Sequence, residues 1–274
     1  LKGLDLLSIG RTQVEDISPL AGLKNLTHLY IGENQIRDIE PLSGLTKLDE
    51  LDLGLNRIQD ISALSGLNGI TKLSLLGNEI TDLGPLTEIR SLAYLAISDN
   101  SIRDIGPLSE LEGMIFLYAA SNQIEDIKPL AGLKNMVNLE LDNNSISDLS
   151  PLSDLANLSY LSVRGNRISD ISALGKLRNL SYLILAGNEI SDIGPLSGLE
   201  SLSWLDLREN QVSDLSPLMK NPGIGRGDMV HLAGNPVTSS AREAGSLTEK
   251  GVILNWDVSP EGEGTPGPQG MPEP

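Results

Sequence analysis

The sequence predicts an α/β repeat solenoid with a parallel sheet on one side, and three observations carry that expectation. A 22-residue unit recurs ten times without a gap, starting at residues 1, 23, 45, 67, 89, 111, 133, 155, 177 and 199. Unit positions 1, 4, 7, 9, 14, 17 and 20 are aliphatic almost throughout. Position 12 is asparagine in nine units, from Asn34 to Asn210, with Thr12 in the first. A fixed period of this length outranks any domain count taken from the 274 residues, because each unit buries its apolar face only by stacking on its neighbours. Apolar residues make up 39% of the chain and aromatic ones 3%, so the stacked core is aliphatic and nearly uniform.

The strand comes first in each unit. Apolar residues at positions 7 and 9 flank a variable residue at 8, the period of two that marks a strand with one buried face. Such strands, stacked at ~4.8 Å, form a parallel sheet along the concave side of a solenoid. The chain then turns sharply. A buried asparagine amide at position 12 hydrogen-bonds the backbone groups of that turn and of the next coil, so the nine asparagines read as an internal ladder.

The return leg reads Asp, Ile or Leu, any residue, Pro or Ala, Leu, with Ser or Gly usually before the Pro. Proline at the first position after a cap suits a short helical turn. Aspartate holds position 16 in every unit, from Asp16 to Asp214. Stacked carboxylates are hard oxygen ligands for a cation. One residue type at the same corner of every coil is better explained as a cap on that turn's own backbone amides.

The unit LxxLxxLxLxxNxIxDIxPLxxL resembles the 22-residue leucine-rich repeat of the internalin family of bacterial surface proteins, from Leu1 to about Lys220. The resemblance implies a right-handed horseshoe, 3₁₀ turns on the convex side and ligand binding on the concave sheet. Neither the helical N-terminal cap nor the immunoglobulin-like domain of that family is present in the sequence, so host-cell invasion does not follow from it.

Three segments result: repeats over 1–220, a partial repeat and cap over 221–258, and a Pro/Gly/Glu-rich tail over 259–274 that cannot build a core and is expected to be disordered. After Lys220 the register slips by three residues and resumes as MVHLAGNP, giving an eleventh strand. A helix over Ser239 to Lys250 and a strand over Val252 to Trp256 close the last coil, with Trp256 as the expected plug. Leu1 begins inside a repeat, so upstream sequence is expected. Arg226, Gly227 and Asp228 spell a tripeptide that some adhesins present to integrins, but its Gly-Asp pair leads into the cap strand and three residues recur widely by chance.

Charge and composition narrow the function. Acids outnumber bases 37 to 20, for a net charge of -17, and this excludes a phosphate-binding surface for nucleic acid. No stretch approaches the ~20 apolar residues of a membrane helix. Cysteine is absent, which excludes disulfides and thiolate metal sites. His28 and His231 stand about nine strand spacings apart, ~43 Å, too far to share a metal or a catalytic task. Glu50 and Asp52 sit together in an open trough without the burial that tunes a general acid. A non-catalytic protein without a cofactor is expected.

Positions 6 and 8 project onto the concave sheet, where no packing role holds them. Seven of the eight aromatic residues stand there, where random scatter would place less than one. Cross-strand stacking explains why aromatics favour strands but not why they gather in units 5 to 10. The expected contact set is Tyr94, Phe116, Tyr118, Tyr160, Tyr182, Ile184 and Trp204, with Arg164 and Arg208 at position 10 on the rim, near Arg167, Glu140 and Asp142. From Tyr94 to Trp204 is ~24 Å, which suits a standard interface of ~800 Å² per partner. Unit 6 departs most from the pattern: Ala119 replaces the aliphatic residue of position 9, a truncation costing ~2 kcal/mol unless Met114 and Met136 fill the gap. Phe116 and Tyr118 crowd the other face of that strand, so the patch is expected to centre there. The leading expectation is a monomeric, secreted or surface-displayed module that binds a protein partner. A structural spacer and a glycan-binding surface are the alternatives.

Overall fold

The computed structural model describes residues 3–237 and 241–256. The expected tail and Ser239 lie outside them. Two compact units divide the chain, Leu1–Met136 with Leu141–Ile146, and Val137–Glu140 with Ser147–Pro274. In the first, strands β1 (Leu6–Ser8), β2 (His28–Tyr30), β3 (Glu50–Asp52), β4 (Lys72–Ser74), β5 (Tyr94–Ala96) and β6 (Phe116–Tyr118) run parallel in chain order. The second holds β7 (Asn138–Glu140), β8 (Tyr160–Ser162), β9 (Tyr182–Ile184), β10 (Trp204–Asp206), β11 (Met229–His231) and β12 (Ile253–Asn255), paired in the same way. Each coil returns through a short 3₁₀ turn such as Ser18–Gly22 or Gly84–Leu86. In the last repeat this becomes a single-turn helix, α1 (Ser216–Lys220). The helix α2 (Ala241–Glu249) and β12 follow as the expected closing elements.

The interior is the aliphatic stack that the period requires. In the second coil Leu26, Leu29, Ile31, Ile36, Ile39 and Leu42 are all buried, and the same positions repeat in later coils. Ala119, Met114 and Met136 are buried in the first unit, so the short side chain at position 9 opens no path to solvent. In the first coil Leu7, Ile9 and Val14 are only partly covered, and Leu6 is 49% exposed. Trp256 is 44% exposed and does not plug the cap; Leu247 of α2 and Val252 supply the buried apolar groups there.

The asparagine ladder is present, and its direction corrects the expectation. Asn56 accepts the N–H of Ile36 on Oδ1, and its Nδ2 donates to the carbonyls of Leu53 and Gly54 in its own turn and of Ile31 in the coil before. The bonds therefore reach back to the preceding coil, not forward to the next. Asn34, Asn78, Asn100, Asn122 and Asn144 repeat this in the first unit, and Asn188, Asn210 and Asn235 in the second. Asn235 makes the slipped segment a full eleventh rung.

At position 16 every aspartate accepts the backbone N–H two residues on, at 2.7–2.9 Å, from Asp16 with Ser18 to Asp214 with Ser216. The column is spent on the first free amide of each 3₁₀ turn. The Asp16, Asp60, Asp170 and Asp214 carboxyls are held below the ordinary 3.8, first by that backbone bond and then by the serine hydroxyl. A group whose pKa is lowered by folding adds stability that is fully present above the unfolded value and is lost as pH falls through the folded one. The urea-unfolding midpoint is therefore expected to hold down to about pH 4 and to fall below it. A midpoint unchanged to about pH 2 would remove the caps from the account.

Candidate functional site

Because side chains alternate along a strand, packing positions 7 and 9 inward leaves 6 and 8 on the open face. The aromatic residues there form separate groups within the two units. In the first unit Tyr94 lies 6.2 Å from Phe116 and 5.4 Å from Tyr118, ring centre to ring centre, in tilted contacts. In the second unit Tyr160, Tyr182 and Trp204 follow one another at 6.3 and 6.5 Å, the Tyr182–Trp204 pair nearly parallel at 26°, and His231 sits 4.9 Å beyond Trp204.

Burial separates residues that the sequence treats alike. Tyr94, Phe116, Tyr118, Tyr182 and Trp204 are half-buried and reachable. Tyr160 is only 6% exposed and Ile184 2%, although both stand at open-face positions. Asp206 and His231, at the same position as Ile184 on the next two strands, are buried as well, and Ile184 offers almost nothing to a ligand. Arg208 also departs from the rim role: its guanidinium folds back onto Asp206 of its own coil in a bidentate pair of 2.6–3.1 Å. A planar fork matched to a carboxylate neutralises the buried charge of Asp206. Arg164 remains exposed at the edge.

Strands β2 to β4 carry a polar cluster instead. Glu50 accepts from Lys72 Nζ and from the Tyr30 hydroxyl, both at 2.8 Å, and His28 Nε2 stands 4.0 Å away. The Lys72 bond leads in holding the Glu50 carboxyl below its ordinary range, while burial and then the bond to Glu50 raise the Tyr30 phenol to about 12. A glutamate locked in its charged form is the opposite of a general acid poised near neutrality. Among the described residues no group of three or more His, Asp or Glu could hold a metal ion, and no helix is long and apolar enough to cross a membrane. Asp228 of the Arg-Gly-Asp tripeptide accepts the Gly225 N–H on Oδ2 at 2.7 Å, and its backbone carbonyl accepts the Ile253 N–H at 2.8 Å, which ties the residue into the loop ahead of β11.

Comparison with known proteins fits this architecture. The family model for leucine-rich repeats (two copies) matches residues 2–44, 24–66, 113–154, 156–198 and 178–219. An internalin (inlF) of Listeria monocytogenes is 31% identical, with 93% of this chain and 88% of that one covered, at a TM-score of 0.75. The chain belongs to the internalin-type leucine-rich-repeat family. An internalin C2 of the same species is 40% identical over 64% of this internalin-type chain and 78% of that one, at a TM-score of 0.64. The ectodomain of the Arabidopsis thaliana receptor kinase GASSHO1/SCHENGEN3, solved in complex with Casparian strip integrity factor 2, is 22% identical. It shares the fold alone, at a TM-score of 0.74, over 85% of this chain and 30% of that one. No curated protein sequence gives a match.

Two features of the site fall outside the strict 22-residue pattern. Met229 and Ile253 continue the position-6 row on β11 and β12, which the resumed MVHLAGNP segment signals for Met229 once the three-residue slip after Lys220 is allowed. Pairing between Arg208 and Asp206, two residues apart at positions 8 and 10, was legible only as adjacent opposite charges.

Proposed function

We propose that this internalin-type chain is a non-catalytic, secreted or surface-displayed module that binds a protein ligand on the open face of its sheet, with Tyr182 and Trp204 as the main anchors of the second unit. Leucine-rich-repeat proteins of this kind are protein-interaction modules, and the Arabidopsis ectodomain of the same fold is solved with its protein factor bound. The observation that carries the reading is the supported Tyr182–Trp204 pair. Two half-buried rings stand 6.5 Å apart, flanked by the buried rings of Tyr160 on one side and His231 on the other, while the interior is already filled by Leu183, Leu205 and Leu207. Large aromatic side chains held rigidly at the centre of a patch dominate interface energetics, because their ordering cost is already met. Tyr94, Phe116 and Tyr118 form a comparable group in the first unit.

The test selects binders from a displayed polypeptide library on the immobilised protein and measures the selected clones on Trp204→Ala and Tyr182→Ala variants whose fold is verified by circular dichroism. A loss of about 2 kcal/mol, roughly 30-fold in affinity, is expected for most clones. Unchanged affinity on both variants would leave the face as a passive wall of a spacer.

A further inference from the structure

Asparagine is a reactive side chain as well as a structural one. Where the following backbone N–H is free, its nitrogen attacks the amide carbon, and a following glycine, with no β-carbon in the way, lets the two atoms meet most readily. Asn68 is the only asparagine in the sequence that precedes a glycine.

The ladder asparagines are closed to this reaction on both sides. Asn100 and Asn144 precede serine, the smallest follower after glycine. Each donates from Nδ2 to three carbonyls, and each accepts on Oδ1 the N–H of Ile80 or Ile124. The Ser101 and Ser145 nitrogens are engaged as well, donating to the Ile80 and Ile124 carbonyls at 3.0 and 2.9 Å. Asn221 and Asn235 precede proline, which has no N–H to attack with. Every other asparagine precedes a side chain larger than serine.

Asn68 stands apart. It is exposed in the turn that leads into β4, where the Ile70 N–H closes on the Leu67 carbonyl. Among the described residues neither its amide nor the Gly69 N–H makes a hydrogen bond. The next coil holds the turn: the Ser91 hydroxyl lies 2.8 Å from the Asn68 carbonyl and 2.6 Å from the Ile70 carbonyl, and donates across the pair. Bringing the Asn68 amide carbon onto the Gly69 nitrogen twists the peptide between them. The Ser91 tie resists that twist, so the reaction proceeds from the locally opened turn.

We propose that Asn68–Gly69 is a self-modification site of the folded protein, with the Ser91 hydroxyl as its latch. The Gly69 nitrogen bonds to Cγ of Asn68 while the Cγ–Nδ2 bond breaks, and ammonia leaves with the Gly69 proton, giving a succinimide. Water then opens the ring at either carbonyl to an aspartyl or an isoaspartyl link at position 68. Both products add a negative charge. The isoaspartyl link also lengthens the backbone by a methylene and turns the carbonyl that Ser91 holds into a free carboxylate off the main chain, so the latch no longer grips the turn.

The intact protein, incubated at mildly alkaline pH, is digested and its peptides are read by mass spectrometry, with an isoaspartyl methyltransferase and S-adenosylmethionine marking the rearranged link. Conversion is expected at residue 68 before any ladder asparagine. Ser91→Ala, its fold verified by circular dichroism, is expected to convert about fivefold faster, the worth of an ordinary hydrogen bond lost from the resting turn. Gly113 stands at the same place in the sixth unit, so the coil tolerates that truncation. Ser91→Thr keeps the hydroxyl and is expected to convert at the parent rate, and Asn68→Gln, whose longer side chain closes a larger ring, is expected to be silent. Conversion that begins at Asn100 or Asn144, or its absence at residue 68, overturns the site. Equal rates in the parent and Ser91→Ala overturn the latch.

Discussion

Replacing Asn78 by alanine is expected to lower the stability of the protein by about 4 kcal/mol, although the side chain touches no ligand. Its Oδ1 accepts the Ile58 N–H at 3.0 Å, and its Nδ2 donates to the carbonyls of Leu53, Leu75 and Leu76 at 3.0–3.3 Å. Alanine leaves these groups without their partner at a site that solvent barely reaches, and each buried polar group so orphaned costs ~1–3 kcal/mol. The void left by the amide adds to this. Urea titration followed by circular dichroism reads the loss; a change under about 1 kcal/mol would mean that water replaces the amide.

The second large effect lies at the closing coil, where Gly223→Ala is expected to cost about 3 kcal/mol. Asn221 is fully buried there: its Nδ2 donates to the Leu196 and Leu199 carbonyls at 2.8 and 3.0 Å, and its Oδ1 accepts the N–H groups of Gly223 and Ile224. This bracket presses Gly223 against the backbone of Glu200, and a methyl added to Gly223 would run into that carbonyl. Backbone cannot swing aside as a flexible side chain can, so the loop itself must lift. Hydrogen exchange should show lost protection at Val230 and Leu247 while Leu51 keeps its own, because each coil of a solenoid leans only on its neighbours. Equal loss at Leu51, or none at Val230, would contradict this.

The repeat made most of the fold legible because single residue types hold single tasks at fixed positions. Asparagine at 12, aspartate at 16 and the leucines of the strand each declared a role that the hydrogen bonds and burial bear out. Spacing alone carries no sign, so the asparagine bonds were read forward when they run back. Position 11 stayed silent for another reason. Its backbone is left-handed in every coil, yet Glu33, Leu55, Asp99, Ser121, Asn143 and Glu209 hold it as well as Gly77, Gly165 and Gly187, so the residue types hide a constraint that glycine would have announced. At the candidate site, alternation told which side chains leave the core but not how much their neighbours cover them, and this is why Tyr160 and Ile184 proved to be buried while Tyr182 and Trp204 are half-buried. Trp256 was assigned to the cap as a lone aromatic, but its exposure shows that helix α2 and Val252 had closed the coil without it.

The backward reach of the asparagine amides gives the stack a polarity in time as well as in space. A coil leaving the ribosome cannot satisfy the amide at its own position 14 until the following one arrives with its asparagine, as Ile36 waits for Asn56 and Ile190 for Asn210. Every newly made turn therefore completes the one synthesised before it, so that growth is vectorial and the most recent rung is always the least finished.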